Sequence, residues 1–264
     1  MGGRLIILGA CMLILTLIAL AFAPLAVKPI LISHPMIKQG LTSLSSSVSS
    51  LNWAGYAVPA EKGTVTSVAG SFIVPSVTCT TGQTTYVALW TGLDGYNDTT
   101  VEQAGIAVEC ENGKPIYWAW YEFYPSPSVT IKGFTVNPGD DIYVNVTYLG
   151  HGKFQVTIKD VTKSEAYSTT GRVSKAELSS AECILERPVV NGQLSSLANF
   201  GTAYYGQDYT SILDTCYATV SGVTGPFGLF PSVVSIIMVN NSGETLAYPS
   251  SLTSDGSSFT VTYG

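Results

Sequence analysis

Ala181-Glu182-Cys183-Ile184-Leu185-Glu186-Arg187-Pro188 sets two carboxylates inside an apolar run. In a β-strand alternate side chains share a face, so Glu182, Ile184 and Glu186 point one way while Ala181, Cys183, Leu185 and Arg187 point the other. Pro188 then ends regular pairing. Two acids on one sheet face are costly against a dry core, yet useful over a cleft where a carboxylate handles protons. Taken alone, the stretch also fits a solvent-facing strand with two ordinary glutamates. Other segments have to decide.

Outward from this stretch the chain keeps a β pattern. Short runs rich in Val, Thr, Tyr and Ile lie at Asn52–Val58, Thr64–Val74, Thr85–Leu93, Ile116–Tyr124, Ser128–Val136, Asp141–Tyr148, Lys153–Asp160 and Val233–Asn240. Turn signals such as Asn137-Pro138-Gly139-Asp140 and Gly150-His151-Gly152 separate them. The spacing predicts an antiparallel sandwich or barrel. No period of solenoid or propeller length repeats. A chain of 264 residues allows one large or two small domains, and all-β folds of this size are often single.

Only 11% of residues are charged, with 12 Lys plus Arg against 18 Asp plus Glu and a net charge of −6. So little base gives no electrostatic footprint for nucleic acid. Sparse carboxylates also suit an acidic medium, because fewer groups change state as pH falls.

Arg4 precedes an almost unbroken apolar run from Leu5 to Val27, with the form of a secretion signal and enough length to remain as a membrane anchor. Residues 1–27 are therefore expected to export the chain, residues 28–50 to be a Ser-rich linker or short pro-segment, and residues 51–264 to be the folded domain. Beyond Cys11 in the leader, Cys79, Cys110, Cys183 and Cys216 allow two disulfides in three connectivities. Loop closure favours Cys79 with Cys110 and Cys183 with Cys216. The cysteine and histidine spacings do not form a zinc pattern, so no metal or cofactor is expected. Asn97-Asp98-Thr99, Asn145-Val146-Thr147 and Asn240-Asn241-Ser242 are glycosylation sequons of little weight.

Three further segments carry chemical groups. In Trp90-Thr91-Gly92-Leu93-Asp94-Gly95, Trp90 and Asp94 share a face with only Gly92 between them. In Glu102-Gln103-Ala104-Gly105 the acid and the amide face opposite ways. In Trp118-Ala119-Trp120-Tyr121-Glu122-Phe123-Tyr124-Pro125 one acid, Glu122, shares a face with Trp118, Trp120 and Tyr124. Each has an ordinary reading as well: aromatic packing for the tryptophans, a turn residue for Asp94, a surface amide for Gln103. Glu122 is harder to dismiss, since an acid in an apolar strand needs partners or a cleft.

Taken in order, with Asn52-Trp53-Ala54-Gly55 ahead of them, these blocks resemble the glutamic peptidases called eqolisins. That family carries an Asn-Trp-Gly-Gly-like first strand, then Trp-Val-Gly-Ile-Asp-Gly, Leu-Gln-Thr-Gly, Trp-Tyr-Glu-Trp-Tyr-Pro and Ala-Glu-Trp-Ile-Val-Glu blocks. The spacing from Gln103 to Glu186 suits it, and the likeness runs from about Leu51 to Gly264. Thr91, Ala104 and Cys183 depart from the family pattern.

The resemblance implies an all-β, antiparallel two-sheet β-sandwich of the concanavalin A-like, jelly-roll type. It implies a secreted endopeptidase that is a monomer, acts on polypeptides in acid and uses no metal, with Gln103 and Glu186 as the catalytic pair. Trp90, Asp94 and Glu122 would support the pair, and Trp120, Tyr124 and Glu182 from the same blocks would line the substrate site. Glu186 would take a proton from water and Gln103 would stabilise the oxyanion. Two other functions use the same residues: a glycoside hydrolase working through Glu122 and Glu186, and a lectin-like binding module with an aromatic platform.

Overall fold

The computed structural model describes residues 32–37, 39–44 and 47–264. The expected secretion signal lies outside them. The strands, in chain order, are β1 (Ile32–Ser33), β2 (Gln39–Leu44), β3 (Ser47–Ser50), β4 (Trp53–Pro59), β5 (Val65–Ile73), β6 (Thr85–Leu93) and β7 (Val101–Glu111). Next come β8 (Lys114–Tyr124), β9 (Val129–Thr130), β10 (Asp141–Tyr148), β11 (Lys153–Asp160), β12 (Glu165–Arg172), β13 (Ser180–Glu186) and β14 (Val189–Val190). The last are β15 (Gln193–Leu194), β16 (Thr202–Tyr205), β17 (Tyr217–Val220), β18 (Val223–Pro226), β19 (Val234–Val239), β20 (Thr245–Pro249) and β21 (Phe259–Tyr263). One α-helical turn, α1 (Gln207–Thr210), and one 3-10 turn, Phe227–Leu229, interrupt them.

The fold is a β-sandwich. In one sheet β13 is paired on both sides, with β4 and with β6, and β7, β8 and β9 continue outward from β6. On its other flank β4 meets β19, which runs parallel to β3. The second sheet runs β12, β11, β10, β5, and the far edge of β5 meets β16 and β17 at different levels. β16, β21 and β20 lead back to β19 and so join the sheets.

Strand patterning explains where the core sits. On β11 Phe154, Val156, Ile158 and Asp160 are buried while Gln155 and Lys159 between them are exposed, the alternation of a strand with one wet face. Each such apolar side chain contributes roughly 1.5–3 kcal/mol by leaving water. On the central strand β13 every residue is buried, because one face packs on the second sheet and the other is covered as well. Ala181, Cys183 and Leu185 join the main core between the sheets. Ile184 instead packs with Trp53, Trp90 and Trp120 in a separate aromatic cluster on the opposite face.

Two expectations need correction. Ser128–Val136 does not form one strand: only Val129–Thr130 pairs, and the chain turns at Lys132-Gly133, where Gly133 has φ +82°. The second disulfide is absent too. Cys79 and Cys110 are bonded, whereas Cys183 and Cys216 are buried free thiols. Burial pushes the Cys216 thiol well up, and its contact with Cys183 raises it further. That suppresses the thiolate, the species that forms disulfides. Within the stretch expected as a linker or pro-segment, β3 pairs with β19 and β2 with β3, while β1 pairs with β14 in a separate three-stranded sheet that β15 completes.

Candidate active site

The sheet register decides which side chains meet. Glu122 stands opposite Gln103 across β8 and β7, and Gln103 stands opposite Gly92 of β6. Gly92 in turn faces Glu182 of β13. One step along, Trp120, Gly105, Trp90 and Ile184 make the next row. Another step brings Ala88 and Glu186 together, with Trp53 beyond. All these positions lie on the sheet face turned away from the main core.

Gly92 is small for a reason. A Cβ there would come within 2.9 Å of the Gln103 Cβ and 3.2 Å of the Trp90 ring. The missing side chain leaves room for the Gln103 amide to lie over the sheet.

Residues Ile32–Ile37 cross this face, and one of them binds both members of the expected pair. His34 Nδ1 lies 2.9 Å from Glu186 Oε2. Gln103 Nε2 donates to the His34 carbonyl oxygen at 3.1 Å and to Glu122 Oε2 at 2.8 Å. The His34 backbone N–H donates to Glu122 Oε2 at 3.3 Å, and the imidazole stacks on Trp120 with ring centroids 3.6 Å apart. Burial lowers the His34 pKa to about 3, so the ring is neutral. An ionised Glu186 can only accept, so Nδ1 carries the ring proton.

Glu186 has other partners. Trp90 Nε1 donates to its Oε2 at 2.9 Å and Asn52 Nδ2 to its Oε1 at 3.4 Å. Glu122 is fully buried as well, and its pKa is raised well above the usual carboxylate range, first by burial and then by the charge of Glu186. The His34 N–H and the Gln103 amide pull it back in part. A carboxyl held neutral beside one that carries charge is the arrangement that divides acid and base roles.

The remaining expected residues fall into two groups. Trp120 is buried against His34, and half-buried Tyr124 packs on the same aromatic cluster. Asp94 and Glu182 belong to a different neighbourhood. Asp94 has φ +66° and accepts the backbone N–H groups of Glu177, Leu178 and Ser179 at 3.1, 2.9 and 2.7 Å, tying down the chain ahead of β13. Glu182 is fully buried, and among the described residues neither carboxyl oxygen has a hydrogen-bond partner of good geometry.

His34 and Asn52 were not among the sequence candidates. Asn52 lies just ahead of Trp53 in the first block. His34 is one of only two histidines, set in Ile-Ser-His-Pro-Met-Ile where the apolar sequence ahead of it gives way to a Ser-rich stretch. That contrast was the available signal.

Residues 51–263 match the model of the Peptidase A4 family. The chain is 29% identical over 237 residues to aspergillopepsin-2 of Aspergillus niger, covering 81% of this chain and 78% of that protein. A crystal structure of scytalido-glutamic peptidase with a transition state analog inhibitor superposes with a TM-score of 0.67 at 21% identity, covering 84% of this chain and all of that one. The aspergilloglutamic peptidase structure from Aspergillus niger gives a TM-score of 0.58 at 27% identity, covering 68% of this chain and 99% of that one. With nearly the whole sandwich inside the match, the chain belongs to the Peptidase A4 family, the glutamic peptidases or eqolisins.

Proposed function

We propose that this peptidase hydrolyses its polypeptide substrates with Glu186 as general base and Gln103 as oxyanion donor. The observation that carries the reading is the backbone of His34: a peptide carbonyl rests on the Gln103 amide while Glu186 lies within hydrogen-bond reach of the same residue. In that frame a water on Glu186 loses a proton as it attacks the carbonyl carbon. The carbonyl oxygen takes up negative charge against Gln103 Nε2, and the carboxyl of Glu186 returns the proton to the leaving nitrogen. A neutral Glu122 cannot act as base. Its part is to hold the Gln103 amide with its N–H₂ toward the substrate.

The chemistry uses two side chains and calls for no metal. A carboxylate base has an ordinary pKa of about 4.3, so activity in acid follows. The N-terminal apolar run and the Cys79–Cys110 bridge support an exported, extracellular enzyme, and we read it as a monomer. Family membership leaves the glycoside hydrolase and lectin readings without support.

Three variants test the assignment on casein at acidic pH, using the exported, processed enzyme. Glu186→Gln keeps shape and removes the base; Gln103→Ala removes a donor whose loss costs about 3–4 kcal/mol of barrier, on the order of a hundredfold or more in rate. Both variants are expected to keep the fold and lose nearly all activity. Glu182→Gln is expected to retain activity, since residues four apart on a strand are roughly 13 Å apart. Loss in Glu182→Gln with retention in Glu186→Gln would move the base to Glu182.

A further inference from the structure

Beyond the catalytic pair the same sheet face continues, and its chemistry changes. Trp118, Ala107, Ala88 and Glu186 stand side by side on β8, β7, β6 and β13. Two residues further along the strands the row is Ile116, Glu109 and Tyr86. Ala88 and Ala107 are small, so nothing bulky parts Trp118, Glu109, Tyr86 and Glu186 around them. The Tyr86 hydroxyl donates to Glu109 Oε1 at 2.5 Å. Both residues are 7% exposed, whereas Trp118 is half-buried and Ile116 is 47% exposed, so this end of the face opens on its β8 side.

Glu109 is an acid without a counter-charge. Its carboxyl takes one hydrogen bond among the described residues, from a neutral hydroxyl. The base-to-acid contacts lie elsewhere, joining His34 to Glu186, Lys62 to Glu177, and Lys163 to Asp140 and Asp160. Lys114 stands opposite Glu111 at the end of the hairpin and makes no ion pair with Glu109. A nearly buried carboxylate with no positive partner is costly, and a cation arriving from outside offsets that cost. The field here is negative as well: burial raises the Tyr86 hydroxyl, and the hydrogen bond and charge of Glu109 and the charge of Glu111 raise it further.

Spacing selects the cation. Glu109 and Trp118 are diagonal neighbours on adjacent strands, about 7–8 Å apart. A guanidinium between them stacks on the indole and forks onto the carboxylate, which a compact ammonium does less well. From Glu186, Glu109 is two strands and two residues away, about 12 Å. In an extended substrate that distance is covered within three residues of the scissile bond.

We propose that Glu109 and Trp118 form a subsite of the cleft for a basic side chain of the substrate, arginine above all, with Tyr86 steadying the carboxylate. The proposal rests on the catalytic assignment above, which sets the scissile bond at Gln103 and Glu186. It names the substrate class as polypeptides with a base within three residues of the cut.

The test uses the exported, processed enzyme and quenched fluorescent peptides in acid. Peptide pairs differ by arginine or citrulline, its neutral isostere, at each of the three positions on either side of the bond, and mass spectrometry locates the cut. At one position kcat/KM for arginine should exceed that for citrulline at least tenfold. Glu109→Gln keeps an acceptor for Tyr86 and should bring the ratio to about one. Tyr86→Phe removes the hydrogen bond but not the charge and should keep at least half of the ratio. Trp118→Ala should lower it at least threefold, and decides the matter if Glu109→Gln does not fold. No position favouring arginine, or a preference that Glu109→Gln leaves intact, overturns the subsite while Glu186 and Gln103 keep their roles. Equal losses in Tyr86→Phe and Glu109→Gln would make the pair a structural tie and overturn it too. An arginine preference persisting in a Glu186→Gln enzyme that still cuts these peptides supports the subsite and overturns the catalytic assignment instead.

Discussion

Gln103 and Glu122 stand directly opposite one another on β7 and β8, and Gln103 Nε2 donates to Glu122 Oε2 at 2.8 Å. Both are fully buried, and Gln103 Oε1 and Glu122 Oε1 have no partner among the described residues. An amide has two faces of opposite hydrogen-bonding sense, and only its N–H₂ end serves an oxyanion. The acceptor at Glu122 therefore sets which end the substrate meets. Glu122→Leu removes that acceptor and should lower kcat about a hundredfold with little change in KM. Glu122→Gln keeps an acceptor oxygen and should recover much of the loss, a pattern that steady-state kinetics on the three proteins would read directly. Equal losses in both variants would show that Glu122 does more than orient the amide.

Gly92 carries a matching expectation. Its Cβ would fall 2.9 Å from the Gln103 Cβ, 3.0 Å from the Glu102 carbonyl oxygen and 3.2 Å from the Trp90 ring. Backbone and two buried side chains cannot all give way, so Gly92→Ala should cost about 1–3 kcal/mol of stability by overpacking. It should also displace Gln103 and cut kcat by tenfold or more. Denaturant melts alongside kcat measure the two effects separately. A variant as stable and as active as the parent would mean that the sheet relaxes at this point.

The buried carboxyls predict a stability that falls as pH rises. Burial raises Glu102, Glu122 and Glu182 well above their ordinary values and, with the charge of Asp98, lifts Asp94 to about 6. For an acid whose folded pKa is raised, the folded state binds more protons than the unfolded one. Its stabilising effect is complete below the ordinary carboxylate range and is lost as pH climbs through the folded value. Each group costs up to about 1.4 kcal/mol per pH unit across its window. The melting temperature should therefore be highest below about pH 4 and decline as pH rises from there, the contribution of Asp94 being lost by about pH 6 and those of the buried glutamates continuing to fall above it. Glu182→Gln, neutral at every pH, should flatten that decline, as calorimetry between pH 4 and 8 can establish. A melting temperature that holds level from pH 4 to 8 would contradict the account.

The β-rich runs and the ordered blocks around Trp90, Gln103, Glu122 and Glu186 were legible because period-two alternation and a buried acid among rings are local features of sequence. Register was partly legible: alternation alone put Glu182, Ile184 and Glu186 on one face. The lateral order of strands was not, because β13 lies between β4 and β6 through pairings between residues far apart in the chain. Asp94 shows the limit of alternation. Strand geometry aligned it with Trp90, but at φ +66° the chain has already left the strand, and the carboxylate goes to the backbone at 177–179. His34 was missed for another reason: low complexity around a segment says nothing about a tertiary site to which a few of its residues bind.

Cysteine chemistry gives the last expectation. Cys79–Cys110 closes a loop with a sequence separation of 31, which in the loop-entropy account stabilises the fold by about 3–4 kcal/mol. Cys183 and Cys216 are both buried and unbonded, Cys183 lying 3.6 Å from Thr91 Oγ1 in the core between the sheets. In protein freed of its leader, and hence of Cys11, native alkylation should label no cysteine. Unfolding without reductant should expose two thiols, and reduction should expose four. Selective reduction of the one bridge should lower the denaturation midpoint by the equivalent of about 3–4 kcal/mol. Mass spectrometry counts the labels. No thiol appearing on unfolding would mean that Cys183 and Cys216 are bridged in the exported protein, with the core between β13 and β17 closing by the small shift that a sulfur–sulfur bond requires.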